Sequence, residues 1–250
     1  MRALQRPPAP ACLADAEEGP TPRAAWYDDL HKKDGTIKDR WNSHDPDEHG
    51  VSSIRRVLAA MSNHECAWCG IRLEQWQVDH YLPQTRFPHV AYCWDNLLPS
   101  CPRCNRRKSG YVPSGLKHRV VVDPALHERH PEAARFVKSE LLPFLEERLV
   151  DPSFEDPATH LEFVPAVPMW RGRTRQGEET VAQLFSDKGD AQRWHEFSEF
   201  IKTCINAQVS THIFDAYVDL HGCRVVIHAL IAYWRDMLSI APAQQSDSTG

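Results

Sequence analysis

The residues best suited to chemistry begin with two Cys-x-x-Cys pairs in a chain of 250 residues, Cys66 with Cys69 and Cys101 with Cys104. Each Cys-x-x-Cys turn directs two thiolates toward one point, and two such turns supply the four ligands of a tetrahedral zinc site. Because four ligands fill the shell, we predict that this zinc stabilises the fold and performs no chemistry. Redox-active motifs or plain buried thiols are the alternative interpretation.

Between the two cysteine pairs lies the dipeptide Asp79-His80. Hydrolysis of a phosphodiester requires a base that activates water, charge relief at phosphorus, and stabilisation of the leaving 3′ oxygen. An imidazole titrates near neutral pH and suits the first task, and a hard cation held by oxygen ligands suits the other two. Neighbours in a strand point to opposite faces, so Asp79 and His80 can act together only where a strand ends or twists.

The order and spacing of these residues resemble the HNH (ββα-metal) nuclease superfamily, in the subgroup that carries a four-cysteine zinc clasp. The resemblance implies that His80 is the general base, that Asp79 binds a catalytic Mg²⁺ or Mn²⁺, and that Asn96 fastens the loop and positions the base. Asn105 occupies the position of the usual metal-binding His, and its amide oxygen is still a hard ligand. The matching pattern is Cys66-x-x-Cys69, Asp79-His80-x-x-Pro83, Asn96-Leu97 and Cys101-x-x-Cys104-Asn105-x-x-Lys108.

A wider resemblance reaches beyond the cysteine pairs, to the HNH subunits of Septu-type anti-phage systems (the PtuB-like family). Members of that family work beside an ABC-class ATPase subunit, sometimes with a retron reverse transcriptase. The resemblance therefore implies that DNA is the substrate and that the ATPase is a physical partner. The residues that carry it are Met1-Arg2-Ala3-Leu4, Arg6-Pro7, Asp79-His80-Tyr81-Leu82-Pro83, Phe87-Pro88, Ala91-Tyr92-x-Trp94-x-Asn96-Leu97 and Val122-Asp123-Pro124.

Positive charge is concentrated around these motifs. Residues 55–119 carry ten Lys and Arg against four Asp and Glu, whereas the whole chain has a net charge of −5. This asymmetry is typical of a phosphate-contacting module in an acidic body, although a short metal module also has little room for acids. We expect phosphate contacts from Arg86, Arg103, Arg106, Arg107 and Lys108. The alternative is that the basic residues after Cys101 simply form a solvated helix face.

The surrounding sequence predicts an α+β fold in which a small ββα-metal module with its zinc clasp is embedded in a mostly α-helical body. We assign residues 1–50 to an N-terminal arm and packing segment, 51–125 to the HNH module, 126–243 to a helical domain and 244–250 to a disordered tail. Hydrophobic periodicity and capping residues predict the elements. Helices are expected from Ser52–Ser53 to about Asn63 and over 103–109, 131–149 (kinked at Pro143), 177–185, 190–207 and 213–240 (the last long or broken). Strands are expected over 75–79, 119–122 and 161–164.

Composition limits the remaining possibilities. The chain has no signal-peptide pattern, and its most apolar stretch, residues 223–241, carries charges that argue against a membrane span. We therefore expect a cytoplasmic protein with no membrane partner. The other cysteines, at positions 12, 93, 204 and 223, are interpreted as buried apolar thiols. His89 is either an accessory metal ligand or an ordinary histidine near the site.

The leading functional hypothesis is a metal-dependent HNH endonuclease that cleaves DNA in an anti-phage defence complex. Two alternatives stay open at this point. One is an RNA- or tRNA-cleaving toxin built on the same motif, because the metal site contacts the phosphate and not the sugar. The other is a zinc-clasped scaffold or nucleic-acid-binding subunit without catalytic activity.

Overall fold

The computed structural model describes residues 1–13, 26, 41, 47–48, 50–116, 138 and 142–239. The predicted strand over 119–122, the Val122-Asp123-Pro124 motif, the tail over 244–250 and most of the expected packing segment lie outside these residues.

The described residues form a mixed α and β fold, as the sequence predicts. Short 3-10 turns lie at Pro88–Val90, Trp94–Asn96, Ser114–Leu116 and Leu142–Phe144, and a π-helical turn lies at Val181–Phe185. The strands are β1 (Gln77–His80), β2 (Leu97–Ser100), β3 (Leu161–Val164) and β4 (Met169–Gly172). The helices are α1 (Ser53–Met61), α2 (Pro102–Lys108), α3 (Pro157–His160), α4 (Arg175–Thr180), α5 (Lys188–Asn206), α6 (His212–His221) and α7 (Arg224–Ser239).

The site is carried by β1, β2 and α2, which together make a ββα unit. The two strands pair antiparallel, with Gln77 opposite Ser100 and His80 opposite Leu97. Helix α2 begins directly after β2. Its N-cap is Cys101, whose sulfur accepts from the amide of Cys104, and Pro102 occupies the first turn, where a missing N–H costs nothing. The cysteine pair therefore lies at the junction of strand and helix.

Capping explains why the predicted helix near position 52 forms. The Ser52 hydroxyl oxygen accepts from the amide of Arg55 at 3.3 Å, and Ile54 and Leu58 on one face of α1 are fully buried. The predicted strands over 75–79 and 161–164 are also present, the first shifted to begin at Gln77. Strands β2 and β4 are not among the predicted elements.

The predicted helix over 131–149 is wrong over residues 142–149, where a 3-10 turn at Leu142–Phe144 is followed by non-helical chain. Pro143 lacks the N–H that a continuing helix needs.

The N-terminal arm packs against the ββα unit. Met1 and Leu4 are buried, and the Leu4 amide donates to the carbonyl oxygen of Pro152 at 2.7 Å. The Arg6 guanidinium donates to the carbonyl oxygens of Trp94 at 2.8 Å and Leu97 at 2.9 Å. Residues 1–13 thus contribute buried side chains to the core, so the expected arm is a packed one in its described part.

The C-terminal helices pack against one another. Helix α5 packs against α7, and the buried face of α7 includes Val226, Ile227 and Leu230. The apolar stretch over 213–240 is broken, because Gly222 and Cys223 both adopt positive φ angles between α6 and α7. No helix in the part of the chain that the structure describes is long and apolar enough to span a membrane.

The break between α6 and α7 is hydrogen-bonded to the first Cys-x-x-Cys turn. The Cys223 amide donates to the carbonyl oxygen of Gly70 at 2.6 Å, and the Arg72 amide donates to that of His221 at 2.9 Å. A Cβ on Gly222 would lie 2.4 Å from the Gly70 oxygen, so only glycine fits this approach. The cysteine turn and the C-terminal helices are therefore joined through their backbones.

Candidate active site and metal centre

The four cysteines of the two Cys-x-x-Cys pairs converge, and their sulfur atoms all lie within 4.8 Å of one another. The Sγ atoms of Cys69 and Cys101 are 3.9 Å apart, close to the roughly 3.8 Å that tetrahedral geometry requires for Zn–S bonds of about 2.3 Å. The Cys101 amide donates to the Cys66 sulfur at 3.3 Å, as expected for a sulfur that carries negative charge. The donor set and its spacing fit zinc, and four sulfurs leave no open position for catalysis.

Asp79 is buried and is held by two side chains. The Trp68 indole N–H donates to its Oδ2 at 2.8 Å, and the Lys108 ammonium donates to its Oδ1 at 3.0 Å. Burial raises the pKa of Asp79, and the Lys108 charge with these hydrogen bonds opposes that effect. Each carboxylate oxygen has about two lone-pair positions, so the two donors leave room for a hard cation. Asp79 therefore has acceptor positions left for a cation beside its two present partners.

The tautomer of His80 follows from the hydrogen bond between its ring and a backbone carbonyl. Its Nε2 lies 3.0 Å from the carbonyl oxygen of Ala91, which can only accept, so in the neutral ring Nε2 carries the proton. Nδ1 is then the basic nitrogen. Burial, together with the nearby Lys108 charge, lowers the pKa of His80 to about 3. The imidazole is therefore neutral at neutral pH, and its Nδ1 carries the lone pair.

Asn96 fixes the loop between the two strands. Its Oδ1 accepts from the Leu82 amide at 2.7 Å, and its Nδ2 donates to the carbonyl oxygens of Leu82 at 3.1 Å and Val90 at 3.0 Å. The side chain is fully buried, so these bonds satisfy polar groups that would otherwise lack partners. Since Ala91 follows Val90, the bonds of Asn96 hold the segment that contacts His80.

Asp79, His80 and Asn105 line one pocket of about 240 Å³ at the junction of β1 and α2. The Asn105 amide nitrogen donates to Oε1 of Gln77 at 2.6 Å, a bond that does not use the oxygen that would bind a cation. Strand β1 includes both residues of the dipeptide, and its burial pattern shows His80 and Asp79 both inside the protein. The sequence-predicted base and both predicted metal ligands thus meet at one cavity.

Residues 66–110, which include the cysteine cluster and this pocket, match the family model described as HNH endonuclease. The chain contains an HNH endonuclease domain. Over 81 residues the chain is 41% identical to Septu protein PtuB from Bacillus thuringiensis. The aligned segment covers 31% of this chain and 30% of that relative, so the chain spans less than a third of its length in the match. No solved structure is significantly similar to the chain.

Lys108 of the HNH domain is not on the surface, where a phosphate contact was expected. It is 1% exposed, and its ammonium also donates to the carbonyl oxygen of His80. A buried carboxylate requires a counter-charge, and the last turn of α2 brings this lysine to Asp79. Lys108 therefore contacts both residues of the Asp79-His80 dipeptide and holds them in place.

Two arginines of α2 are paired with the beginning of α5. Arg103 lies 3.0 Å from Asp187 and 2.9 Å from Asp190, and Arg107 pairs with the same two carboxylates. The Arg107 guanidinium holds the pKa of Asp187 at about 2. These contacts fasten the HNH domain to the helical part of the chain.

Arg86 and Arg106 are the exposed members of the predicted phosphate-contacting set. For them the role stays a prediction that their position allows. The side chain of His89 lies outside what the structure describes, so its participation also stays a prediction.

Sequence reasoning did not identify Trp68 or Gln77 as parts of the site. Trp68 lies inside the first Cys-x-x-Cys turn, between the two cysteines, and no sequence pattern linked its indole to Asp79. Gln77 lies two residues before Asp79 in β1, so period-two alternation could have placed it on the same face. Trp68 is hydrogen-bonded to Asp79 and Gln77 to Asn105, and the motif identified both of these partners.

The zinc assignment predicts that Cys66→Ser lowers zinc content from one ion per chain to well below one, because a serine hydroxyl does not replace a thiolate ligand. Structural zinc contributes roughly 10–16 kcal/mol to the folding of zinc-finger peptides, so the variant should also lose its folded HNH domain. Zinc content by atomic absorption and thermal melting are the measurements. Cys204→Ser, which alters a buried thiol outside the cluster, is the control and should retain its zinc. Full zinc content in Cys66→Ser would contradict the assignment.

The buried ion pair predicts that Lys108→Met destabilises the protein by about 3–5 kcal/mol, because the Asp79 charge is left without its partner. Denaturant unfolding measures the loss. Arg106→Met on the exposed face of the same helix is the control, with a change within about 0.5 kcal/mol. Adding Asp79→Asn to Lys108→Met removes the stranded charge and should recover part of the loss. Equal unfolding midpoints for Lys108→Met and Arg106→Met would contradict the prediction that this ion pair stabilises the fold.

Proposed function

We propose that the chain is a metal-dependent endonuclease that hydrolyses phosphodiester bonds of DNA. The observation that carries the proposal is the meeting of Asp79, His80 and Asn105 at one pocket within the HNH domain. A neutral imidazole beside two oxygen ligands is the minimal set for activating water next to a cation-bound phosphate. Binding of nucleic acid alone needs none of these three groups.

His80 acts as the general base through Nδ1. The Ala91 carbonyl fixes the other nitrogen as the donor, so the ring cannot exchange tautomers without losing that hydrogen bond. The Trp41 ring packs edge-on against the imidazole, with ring centroids 4.8 Å apart, and limits rotation of the side chain. The proton of the attacking water passes to Nδ1 as the water oxygen bonds to phosphorus, and the bond between phosphorus and the 3′ oxygen breaks, so that the 3′ oxygen leaves with its electron pair.

Asp79 and Asn105 hold the catalytic divalent ion, which we propose is Mg²⁺ or Mn²⁺. When bound, this ion supplies charge relief at the phosphorane and at the leaving 3′ oxygen. Lys108 and Trp68 keep the Asp79 carboxylate oriented, and Gln77 orients the amide of Asn105. The thiolate cluster, with its structural zinc, holds α2 against the strands so that both ligands stay at the pocket.

The biological setting we propose is an anti-phage defence complex. The support is the similarity to a protein named Septu protein PtuB. On this proposal an ABC-class ATPase subunit is the physical partner, with a retron reverse transcriptase in some systems. Four reduced thiolates fit a reducing compartment, so we place the protein in the cytoplasm. Two observations test the partner: whether an ABC-class ATPase is encoded beside the gene, and whether that ATPase co-purifies with this protein.

Replacing His80 with Ala should reduce cleavage at least about 100-fold, because general-base catalysis contributes roughly 10²–10⁴ to rate. Zinc content should stay at that of the unaltered protein, which shows that the HNH domain is still folded, although removal of a buried side chain lowers the melting temperature. A plasmid-nicking assay with Mg²⁺ or Mn²⁺ makes the measurement, and EDTA should abolish activity. The exposed His64→Ala is the control. Undiminished cleavage by the His80 variant would refute the mechanism.

Cleavage and binding assays distinguish the proposed function from its two alternatives. Duplex DNA, single-stranded DNA and RNA of the same sequence should be compared, and we expect the highest kcat/KM on DNA. Preferential cleavage of RNA or tRNA would favour the toxin. Binding of DNA without nicking, with either metal and with the ATPase present, would favour the inactive scaffold. In both cases the DNA endonuclease proposal would fail.

A further inference from the structure

An open cleft of about 420 Å³ lies on the other side of α2 from the catalytic pocket. Residues after the first cysteine turn form one wall, α2 forms the second, and α5 with the end of α6 forms the third. Four guanidinium groups line it, from Arg72, Arg103, Arg106 and Arg193, together with the carboxylate of Glu74. The motifs in the sequence did not indicate this cleft, because its arginines come from three separated segments.

The charge of the cleft is only partly neutralised within the protein. Arg103 pairs with Asp187 and Asp190, and Arg193 lies 3.9 Å from Asp190. Among the described residues no carboxylate lies within 4.0 Å of the side-chain nitrogens of Arg72 or Arg106, and both side chains are exposed.

The functional groups on α2 face two directions. Asn105 and Lys108 line the catalytic pocket, whereas Pro102, Arg103 and Arg106 line the cleft. An α-helix is about 10–12 Å wide, and one strand of duplex DNA advances about 3.4 Å per phosphate along its axis. A strand with its scissile phosphate at Asn105 therefore reaches the cleft about three nucleotides away.

We infer that this arginine cleft binds the sugar–phosphate backbone of the nucleic-acid substrate beside the scissile bond, with Arg72 and Arg193 as contacts. The inference rests on the proposed nuclease function. Guanidinium groups recognise phosphate oxygens through forked hydrogen bonds and do not read bases, so the cleft sets the register of the strand. It also explains why the HNH domain is fastened to α5, since Arg193 is supplied by that helix.

The experiment uses the full chain carrying His80→Ala, so that a fluorescent 20-base-pair DNA duplex stays intact. Binding is measured by anisotropy between 50 and 200 mM salt, with and without Arg72→Gln plus Arg193→Gln. Each lost phosphate contact lowers the slope of log K against log salt by about 0.9. The double variant should therefore have a slope smaller by about 2 and lose about tenfold less affinity across this salt range.

The matched control is Arg171→Gln plus Arg173→Gln on β4 and the residue after it. These two exposed arginines pair with Glu162, away from the cleft. Their removal changes net charge equally and should leave the slope unaltered. Zinc content confirms that each variant is folded.

The outcomes separate the cleft from the nuclease itself. If the protein with His80 intact cleaves DNA while the Arg72 and Arg193 variant keeps the parental salt slope and affinity, the cleft proposal fails and the nuclease stands. That result would favour an acidic surface of a protein partner as the ligand of the cleft. An equal slope change in the β4 control would also overturn the proposal, because a general charge effect would explain it. If the chain neither cleaves nor binds DNA, both proposals fail.

Discussion

The convergence of four thiolates is the constraint on which the rest of the structure depends. Two sulfurs come from the turn before β1 and two from the junction of β2 and α2, so one metal ion bound by all four would join that turn to the start of α2. Four negative sulfurs this close repel one another without a cation between them. A bound cation would therefore stabilise the start of α2 where the cysteines place it, and with it the approach of Asn105 and Lys108 to β1.

The charged residues of α2 lie in three different environments although they are neighbours in sequence. Lys108 is internal and neutralises Asp79. Arg103 and Arg107 join α2 to α5 through shared carboxylates. Arg106 is exposed to solvent. Helical geometry turns each successive residue by about 100°, so adjacent basic residues necessarily face different surroundings. A basic run in a sequence is thus a poor guide to how many of its members contact a ligand.

The sequence predicted the parts of the molecule that are governed by spacing. The cysteine pairs, the cap at Ser52 and the helix after Pro102 follow local rules, and the structure contains all three. The family identification of residues 66–110 rests on the same spacing. The roles assigned to His80, Asp79, Asn96 and Asn105 stay predictions, although the structure brings three of these residues to one pocket.

The features that sequence reasoning missed depend on long-range contacts. The position of Lys108 depends on Asp79, which is 29 residues earlier, and the pairing of Arg107 depends on Asp190, which is 83 residues later. Strand β2 contains Pro99 and lacks alternation because all four of its residues are buried. Such contacts follow from packing between elements, which a single sequence does not encode in any local pattern.

The hydrogen bonds between the first cysteine turn and the break at Gly222 have a consequence for how the protein comes apart. One continuous cluster of buried apolar residues runs from Met1 through the ββα unit to Ile231 of α7. Backbone bonds tie that last portion to the metal-binding turn. Oxidation or chelation at the thiolates would therefore loosen the C-terminal helices together with the nuclease, in one cooperative opening event. Oxidation of the cysteines would then disrupt the pocket of the HNH domain and the packing of the C-terminal helices at the same time.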